Sequence, residues 1–277
     1  MKRPHPRCTP ISPARIAKWL GVFRFYRHPP NEPAIQQWLN RFSKADRDVA
    51  ARVLDCVRVV SEQKTLMGYR HALQQLVGWN IDPALRRGRW FFVGFGSSGE
   101  SGQAMVRPFR EANQLTSAAY NDLFCGATDL PSKKLTAEDY VVFIDDFSGT
   151  GRQVRTAWPI LQELVASDAT CHLILTSATR KAISIIEALI NLALTVYIIL
   201  EEDDNVFSSR CKRFSTHEKS ILEKYGRRAD KINPKGFGDC GLLFVLSHKT
   251  PNNTIPILHA HHIRWEGLFP RYLPLPS

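Results

Sequence analysis

Residues 140–153 constrain the fold of this chain more than any other part of its sequence. The first five, residues 140–144, are apolar and mostly β-branched or aromatic, which predicts a buried strand of a parallel sheet. Two carboxylates end that strand, a Ser-Gly-Thr-Gly turn follows, and a helical pattern runs from about Arg152 to Val165. Ligands of open α/β sheets bind outside the carboxyl ends of the strands, so we expect this turn to lie at a binding site.

The residue types in this turn suit a phosphorylated sugar. Gly149 and Gly151 admit backbone conformations that are closed to other residues, so several N–H groups can point at one anion. Ser148 and Thr150 add hydroxyl donors, and the N-terminus of the following helix favours an anion. The two carboxylates would repel phosphate, so we expect them to hold sugar hydroxyls or a metal ion. These residues together predict a site for a ribose 5-phosphate, and a strand–turn–helix corner with solvated aspartates is the alternative.

The sequence Asp-Asp-Phe-Ser-Gly-Thr-Gly at residues 145–151 resembles the signature of the type I phosphoribosyltransferases. It is most similar to the phosphoribosyltransferase-like proteins of bacterial conflict systems, whose C-terminal signatures residues 251–258 and 265–271 also resemble. The resemblance implies that Asp145 and Asp146 hold the ribose 2′- and 3′-hydroxyls and bind Mg²⁺. The residues that it assigns to the phosphoribosyl 5-phosphate are Phe147, Ser148, Gly149, Thr150, Gly151 and Gln153, the last of which replaces the usual Thr or Ser.

A second strand, turn and helix precede this stretch. Residues 90–95 predict the first strand of the α/β domain, and Met105, Val106 and Phe109 mark the apolar face of the helix that follows. By position, the turn between them resembles the pyrophosphate loop of the type I family, and its N–H groups and hydroxyls suit a second anion. A flexible connection is the alternative. The residues of this turn are Ser97, Ser98, Gly99, Glu100, Ser101 and Gly102.

The excess positive charge lies in the first third of the chain. The net charge is +11, and residues 1–90 contain 17 Lys and Arg against 6 Asp and Glu, whereas the remaining residues contain 20 of each. Such an excess steers a protein towards polyanions, so DNA or RNA is an expected partner, and a solubilising surface is the alternative. The residues expected to contact nucleic acid are Arg41, Lys44, Arg47, Arg52 and Arg58.

The pattern of the chain predicts two domains. Residues 1–85 predict a basic helical domain, for which a winged-helix form stays open, and one of its helices is expected to bury Val49, Val53, Val57 and Val60. Residues 86–277 alternate strands with helices. This alternation predicts an α/β fold with a mainly parallel sheet, which the resemblance makes one of the type I phosphoribosyltransferase kind with a C-terminal hood or tail.

Other classes of protein are disfavoured. Six scattered cysteines without a Cys-x-x-Cys pair favour a reduced, cytoplasmic protein over a disulfide framework or a zinc ribbon. The apolar run 183–200 predicts a buried helix and strand, so no membrane partner is expected. Acidic residues 201–204 and the sequence His259-Ala-His261-His262 invite metal hypotheses, but a polar loop and ordinary polar packing are favoured.

The resemblance implies a Mg²⁺-dependent transferase that moves phosphoribose from 5-phosphoribosyl 1-diphosphate to an acceptor and releases pyrophosphate. It also implies a role in bacterial conflict, such as antiphage defence, with protein partners in a defence complex. Two other functions stay open. One is a non-catalytic sensor of a phosphoribosyl ligand, and the other is a structural subunit of a nucleic-acid-containing complex. The sequence lacks the Gly-x-x-x-x-Gly-Lys-Ser/Thr loop, which argues against a P-loop ATPase.

Overall fold

The computed structural model describes residues 11–96, 101–165 and 168–271, and the chain divides into two compact units. The first unit contains the chain up to Glu62 and again from Glu202 onwards, and the second is Gln63–Glu201. This grouping differs from the division predicted at residue 85, because the chain returns to the first unit after the last strand of the sheet. Within the described ranges, no helix is long and apolar enough to cross a membrane.

Helices and strands alternate along most of the described chain. In chain order they are α1 (Pro13–Phe23), α2 (Glu32–Leu39), α3 (Arg47–Cys56), β1 (Arg58–Val60), α4 (Glu62–Gln74), β2 (Trp90–Gly94), α5 (Ser101–Ala112), β3 (Tyr140–Ser148), α6 (Arg152–Val165), β4 (Thr170–Thr179), α7 (Arg180–Glu187), β5 (Ala193–Leu200), α8 (Thr216–Ala229), β6 (Phe244–Leu246), α9 (Pro256–His259), β7 (His261–His262) and β8 (Trp265–Glu266). Short 3₁₀ helices lie at Ala118–Leu123, Ala127–Lys133, Glu202–Asp204 and Phe237–Asp239.

The second unit is built on a four-stranded parallel sheet with the strand order β2-β3-β4-β5. Successive side chains of β3 face opposite sides of this sheet. Phe143 belongs to a core that includes α6 and α7, and Ile144 belongs to a core that includes α4 and α5. Burial on both faces explains why the strand is a continuous apolar run. The predicted α/β fold with a mainly parallel sheet is therefore confirmed.

Helix α4 packs on this sheet, although it precedes the predicted domain boundary. Tyr69 and Leu73 are buried in the same core as Ile144. Gly68 lies so close to β5 that a Cβ atom there would approach Cδ1 of Tyr197 to 2.9 Å. This close approach explains a glycine inside a helix, where it costs about 1 kcal/mol relative to alanine.

The first unit joins the N-terminal helices to the C-terminal part of the chain. Its core contains Trp19 and Trp38 from α1 and α2 together with Tyr225 from α8 and Trp265 from β8. The indole N–H groups of Trp38 and Trp265 donate to the same carbonyl oxygen, that of Ile257, at 2.7 and 3.0 Å. Residues from both ends of the sequence therefore build one core.

A short parallel pair of strands, β1 and β6, also belongs to the first unit. The prediction that Val60 continues the helix of Val49 and Val53 is wrong, because α3 ends at Cys56 and Val60 lies in β1. Valines four residues apart fit a helix face, but β-branched residues also favour strands, and the pairing of Val60 with Leu246 decides between them.

Candidate functional site

The acidic pair, Asp145 and Asp146, lies within β3, beside the carboxyl end of β2, because β3 runs on to Ser148 and does not end before Asp145 as the sequence suggested. Gly94, the last residue of β2, is in register with Ile144 of β3, and Phe95 N donates to Ile144 O at 2.8 Å. Asp145 and Asp146 follow Ile144 directly. The connection to α5 therefore begins beside the acidic pair, whereas β3 continues beside β4 to Ser148 before the connection to α6 begins. Both connections lie at the edge where open α/β sheets bind their ligands.

Both carboxylates of the acidic pair are buried. Asp145 is 2% exposed and Asp146 is 1% exposed. Asp145 Oδ1 accepts a hydrogen bond from Asp146 N at 2.9 Å, which fixes the rotamer of the first carboxylate. Buried carboxylates are rare in proteins unless they are paired, so the burial of both side chains at the carboxyl edge of the sheet makes them candidates for binding a ligand.

Tyr69 of α4 lies beside this acidic pair. Its side chain is fully buried, and its hydroxyl donates to the main-chain oxygen of Asp145 at 3.2 Å. Burial, followed by the negative charges of Asp146 and Asp145, raises the pKa of Tyr69 well above its usual value. Tyr69 therefore stays a neutral hydrogen-bond donor. Sequence reasoning missed it, since no local pattern connects a residue in a helix with a strand more than seventy positions later.

Hydroxyl groups of β4 hold the main chain of residues 145–151, which we call the acidic turn. Thr176 Oγ1 donates to Asp146 O at 2.6 Å, and Thr179 Oγ1 donates to Gly149 O at 2.6 Å. The Thr179 hydroxyl also accepts from Ala182 N at 3.0 Å, which caps α7. A polar Thr-Ser-Ala-Thr sequence at the end of an apolar strand is the signal that could have found these residues.

The turn itself is tight and partly open to solvent. Gly151 has a φ of +68°, and a Cβ atom there would lie 2.9 Å from Cγ2 of Ile185 in α7, so glycine is required. Gly149 is not among the glycines with a positive φ, so of the two turn glycines it is Gly151 that uses this freedom. Ser148 is buried, Thr150 is half-buried, and the turn leads directly into α6.

Some of the predicted phosphate-binding residues lie at the edge of this turn or outside the described residues. Phe147 is half-buried, and Gln153 is exposed in the first turn of α6. Residues 97–100 of the predicted pyrophosphate loop lie outside the described residues, and Ser101 begins α5. Gly102 packs so closely on the end of β2 that a Cβ atom would lie 2.0 Å from Phe95 O. The start of α5 therefore adjoins the end of β2.

The five basic residues predicted to contact nucleic acid all belong to the first unit. Arg41 pairs with Glu266 at 2.9 Å, and Arg52 forms an ion pair with Glu218. These carboxylates offset part of the positive charge that the sequence suggested. Lys44 and Arg58 are exposed, and Arg47 is half-buried. Their contact with nucleic acid stays a prediction.

The metal hypotheses for the acidic and histidine clusters gain no support. No group of three or more His, Cys, Asp or Glu side chains that could hold a metal ion occurs in the part of the chain that the structure describes. Glu201 forms an ion pair with Arg180, and the Nε2 atoms of His259 and His262 contact main-chain carbonyl oxygens. The favoured predictions of a polar loop and of ordinary polar packing agree with these contacts.

The comparison with protein families decides the identity of the chain. The model of the PRTase-CE family matches residues 35–271, which is most of the sequence. The chain belongs to the PRTase-CE family. A search of curated proteins gave no match. The predicted resemblance to phosphoribosyltransferases is confirmed, and this PRTase-CE protein has a phosphoribosyltransferase-like domain. The match includes most of both units, so the N-terminal helices from Ile35 onwards are part of the family domain.

The acidic pair of this PRTase-CE protein can supply two carboxylate ligands to Mg²⁺. Asp145 and Asp146 supply carboxylate oxygens at a strand end, but the described residues offer no third acidic or imidazole ligand beside them. Mg²⁺ usually binds one or two carboxylates together with substrate phosphates and water. The donor set therefore suits an ion that arrives with a phosphorylated substrate, rather than one held by the protein alone.

Proposed function

We propose that this PRTase-CE protein transfers phosphoribose from 5-phosphoribosyl 1-diphosphate to an acceptor and releases pyrophosphate. The observation that carries the proposal is that β2 ends beside Asp145 and Asp146 of β3, so that the β2–α5 connection and the turn after β3 lie at the same carboxyl edge of the sheet. A substrate with one phosphate and one diphosphate on a ribose diol matches two anion-binding loops beside an acidic pair.

The carboxylates of Asp145 and Asp146 would accept hydrogen bonds from the ribose 2′- and 3′-hydroxyls. These hydrogen bonds would fix the position of the sugar during the reaction. The bond between C1 and the diphosphate oxygen breaks, and its electron pair leaves with pyrophosphate. The acceptor forms the new bond to C1 and loses its proton. Positive charge develops on the ring during this exchange, and two nearby carboxylates favour it electrostatically.

The turn from Ser148 to Gly151 would hold the 5-phosphate. The C=O and N–H groups of one peptide unit point in opposite directions, because the unit is planar and trans. The bond from Thr179 to Gly149 O therefore directs the Thr150 N–H away from β4 and towards the outside of the turn. The N-terminus of α6 adds its partial positive charge at the same place.

Mg²⁺, when bound with the substrate, would neutralise charge on the departing diphosphate, and Asp145 and Asp146 are the residues that would hold it. The β2–α5 connection, which leads to Ser101 and Gly102, would receive the diphosphate. This assignment follows from its place beside the acidic pair and from the N-terminus of α5.

Replacing Asp146 with asparagine tests the proposal. Asp146→Asn keeps the side-chain size and removes the charge, so we expect affinity for 5-phosphoribosyl 1-diphosphate to fall about 10- to 100-fold, the value of a hydrogen bond to a charged group. The measurements are calorimetric titration with that compound in MgCl₂ and pyrophosphate release with a fractionated cell extract as the source of acceptor. Asp168→Asn is the control, because it removes the same charge from an exposed residue between α6 and β4.

The same assays separate the alternatives. Binding without pyrophosphate release in any fraction would support a sensor, whereas full binding and turnover by Asp146→Asn would overturn the proposed site. The proposal includes the defence role that the resemblance to conflict-system proteins implies. That role predicts reduced phage plating on bacteria that make the wild-type protein in their cytoplasm, and normal plating on bacteria that make Asp146→Asn.

A further inference from the structure

The first unit carries a basic and apolar surface that the proposed reaction does not use. The β7–β8 hairpin turns at Ile263 and Arg264, and Ile263 has a relative exposure of 102%. Ile232, which follows α8, is 87% exposed. We call this surface the hairpin patch. It consists of Arg228, Lys231, Ile232, Ile263 and Arg264.

Direct contacts hold the end of α8 and the hairpin together. His262 Nε2 lies 2.8 Å from the carbonyl oxygen of Ala229, the last residue of α8. The Arg228 guanidinium lies over the ring of Trp265, 5.9 Å from its centroid. Since these contacts involve the hairpin residues on both sides of the turn, Ile263 and Arg264 project from a hairpin that is anchored to α8.

The carboxylates around the hairpin patch are already engaged. Glu266 pairs with Arg41 at 2.9 Å, and Glu223 pairs with Lys235 at 3.2 Å and also with Arg227. Asp230 accepts hydrogen bonds from two main-chain N–H groups. Among the described residues, no acidic side chain lies within ion-pair distance of the three cations of the hairpin patch. The hairpin patch therefore combines three uncompensated positive charges with two exposed isoleucines.

We propose that the hairpin patch binds double-stranded nucleic acid. Arg228, Lys231 and Arg264 contact backbone phosphates, which supply most of the sequence-independent affinity of such complexes. Ile263 at the hairpin tip enters a groove, where proteins that bind the minor groove commonly insert an isoleucine or leucine against the bases. An anionic membrane is the less suitable partner, because membrane-surface binding needs the broad apolar face of an amphipathic helix, and the apolar face of α8 is buried in the core.

This surface differs from the five residues that the sequence suggested. Arg41 is directed at Glu266 within the hairpin, so it supports the hairpin patch by cancelling the one acidic side chain of the hairpin strands. The charge excess of the first 90 residues suggested the same class of ligand, whereas the hairpin patch lies in the C-terminal part of the chain.

The test is fluorescence anisotropy of a labelled DNA duplex titrated with the full chain at several salt concentrations. The double variant Lys231→Gln with Arg264→Gln removes two proposed phosphate contacts. We expect the slope of log affinity against log salt concentration to decrease by about 2. The matched control is Lys18→Gln with Arg24→Gln, which removes two exposed cations of the α1 region and is expected to keep the wild-type slope. Equal slopes for both double variants and the wild type would overturn the proposal.

A single substitution tests the groove contact. Ile263→Ser is expected to weaken duplex binding several-fold without changing the salt slope, since it removes no charge. If Ile263→Ser instead abolishes binding to phosphatidylserine-containing vesicles and leaves duplex affinity unchanged, the hairpin patch is a membrane surface and the proposal is wrong. Asp146→Asn should bind the duplex as the wild type does. Duplex binding by Asp146→Asn therefore tests this proposal independently of the proposed transferase activity. Thermal unfolding of each variant verifies that it folds.

Discussion

At the scale of single residues, one buried hydroxyl connects the acidic turn to its neighbours. Thr179 Oγ1 donates to Gly149 O and accepts from Ala182 N, and the side chain is 7% exposed. Thr179→Val keeps the shape and removes both hydrogen bonds. We expect the free energy of unfolding to fall by about 1–3 kcal/mol, because two main-chain groups lose their partner in a buried place.

The same substitution is expected to raise the KM for 5-phosphoribosyl 1-diphosphate, because the Gly149–Thr150 peptide unit is no longer oriented. Urea denaturation and steady-state kinetics measure the two effects. Thr179→Ser is the control that restores the hydroxyl, and it should return KM close to the wild-type value. If valine and serine at this position give the same KM, the hydroxyl does not orient the turn.

At the scale of secondary-structure elements, β3 is fixed at both ends by different interactions. Its carboxyl end carries the acidic pair, and its start is held by Asp139, which is 2% exposed. Arg89, ahead of β2, donates to both carboxylate oxygens of Asp139 at 2.9 and 2.6 Å, and Thr136 N donates at 2.7 Å. These contacts join β2 and β3 at the end of the sheet opposite to the candidate site.

Asp139→Asn therefore separates stability from activity. The hydrogen bonds from Arg89 and then those from Thr136 lower the pKa of Asp139 despite its burial, so its carboxylate stabilises the fold above the unfolded pKa of about 3.9. This stabilisation is lost as the pH falls through the lower folded pKa. We expect the variant to lose about 2 kcal/mol at neutral pH, and the difference from wild type to shrink below about pH 4. Urea denaturation across this pH range measures it, and a changed KM would contradict the structural role.

At the scale of the whole molecule, the first unit combines the N-terminal helices with the C-terminal part of the chain, and the half-buried His259 makes its stability sensitive to acid. The Nε2 atom of His259 lies 3.0 Å from Thr254 O. Burial, with a further contribution from the positive charge of Arg271, lowers the pKa of His259 from its usual 6.5 to about 4. Between these two pH values, His259 binds a proton in the unfolded chain and not in the folded chain. The free energy of unfolding is therefore highest above pH 6.5 and falls as the pH is lowered towards 4.

We expect His259 to contribute a slope of up to about 1.4 kcal/mol per pH unit over this interval. His259→Gln removes the titrating group, so its free energy of unfolding should vary less with pH than that of the wild type. Urea denaturation at several pH values between 4 and 7 measures both, and His217→Gln, an exposed histidine of α8, is the control. If the free energies of unfolding of the wild type and His259→Gln vary with pH in parallel, the pKa of His259 is not lowered by folding and the prediction is wrong.

Local sequence patterns predicted a large part of the second unit. The helix predicted from about Arg152 to Val165 agrees with α6, and the apolar run before Asp145 belongs to β3, one of the two inner strands of a parallel sheet. Such predictions succeed because strand alternation, turn glycines and helix starts each depend on residues that are close in sequence. The charge count could not show which cations are paired, because Glu218 and Glu266 approach Arg52 and Arg41 only in the folded chain.

The sequence by itself determined that a buried strand leads through an acidic pair into a glycine turn, and the family match confirms the kind of domain to which they belong. Tertiary structure alone decided that Tyr69 and Thr179 support this turn, that Val60 is a strand residue, and that both chain ends share one core. The physical reason is the range of the interactions. Hydrogen-bonding and packing partners far apart in sequence leave no local period, so only the folded chain brings them together.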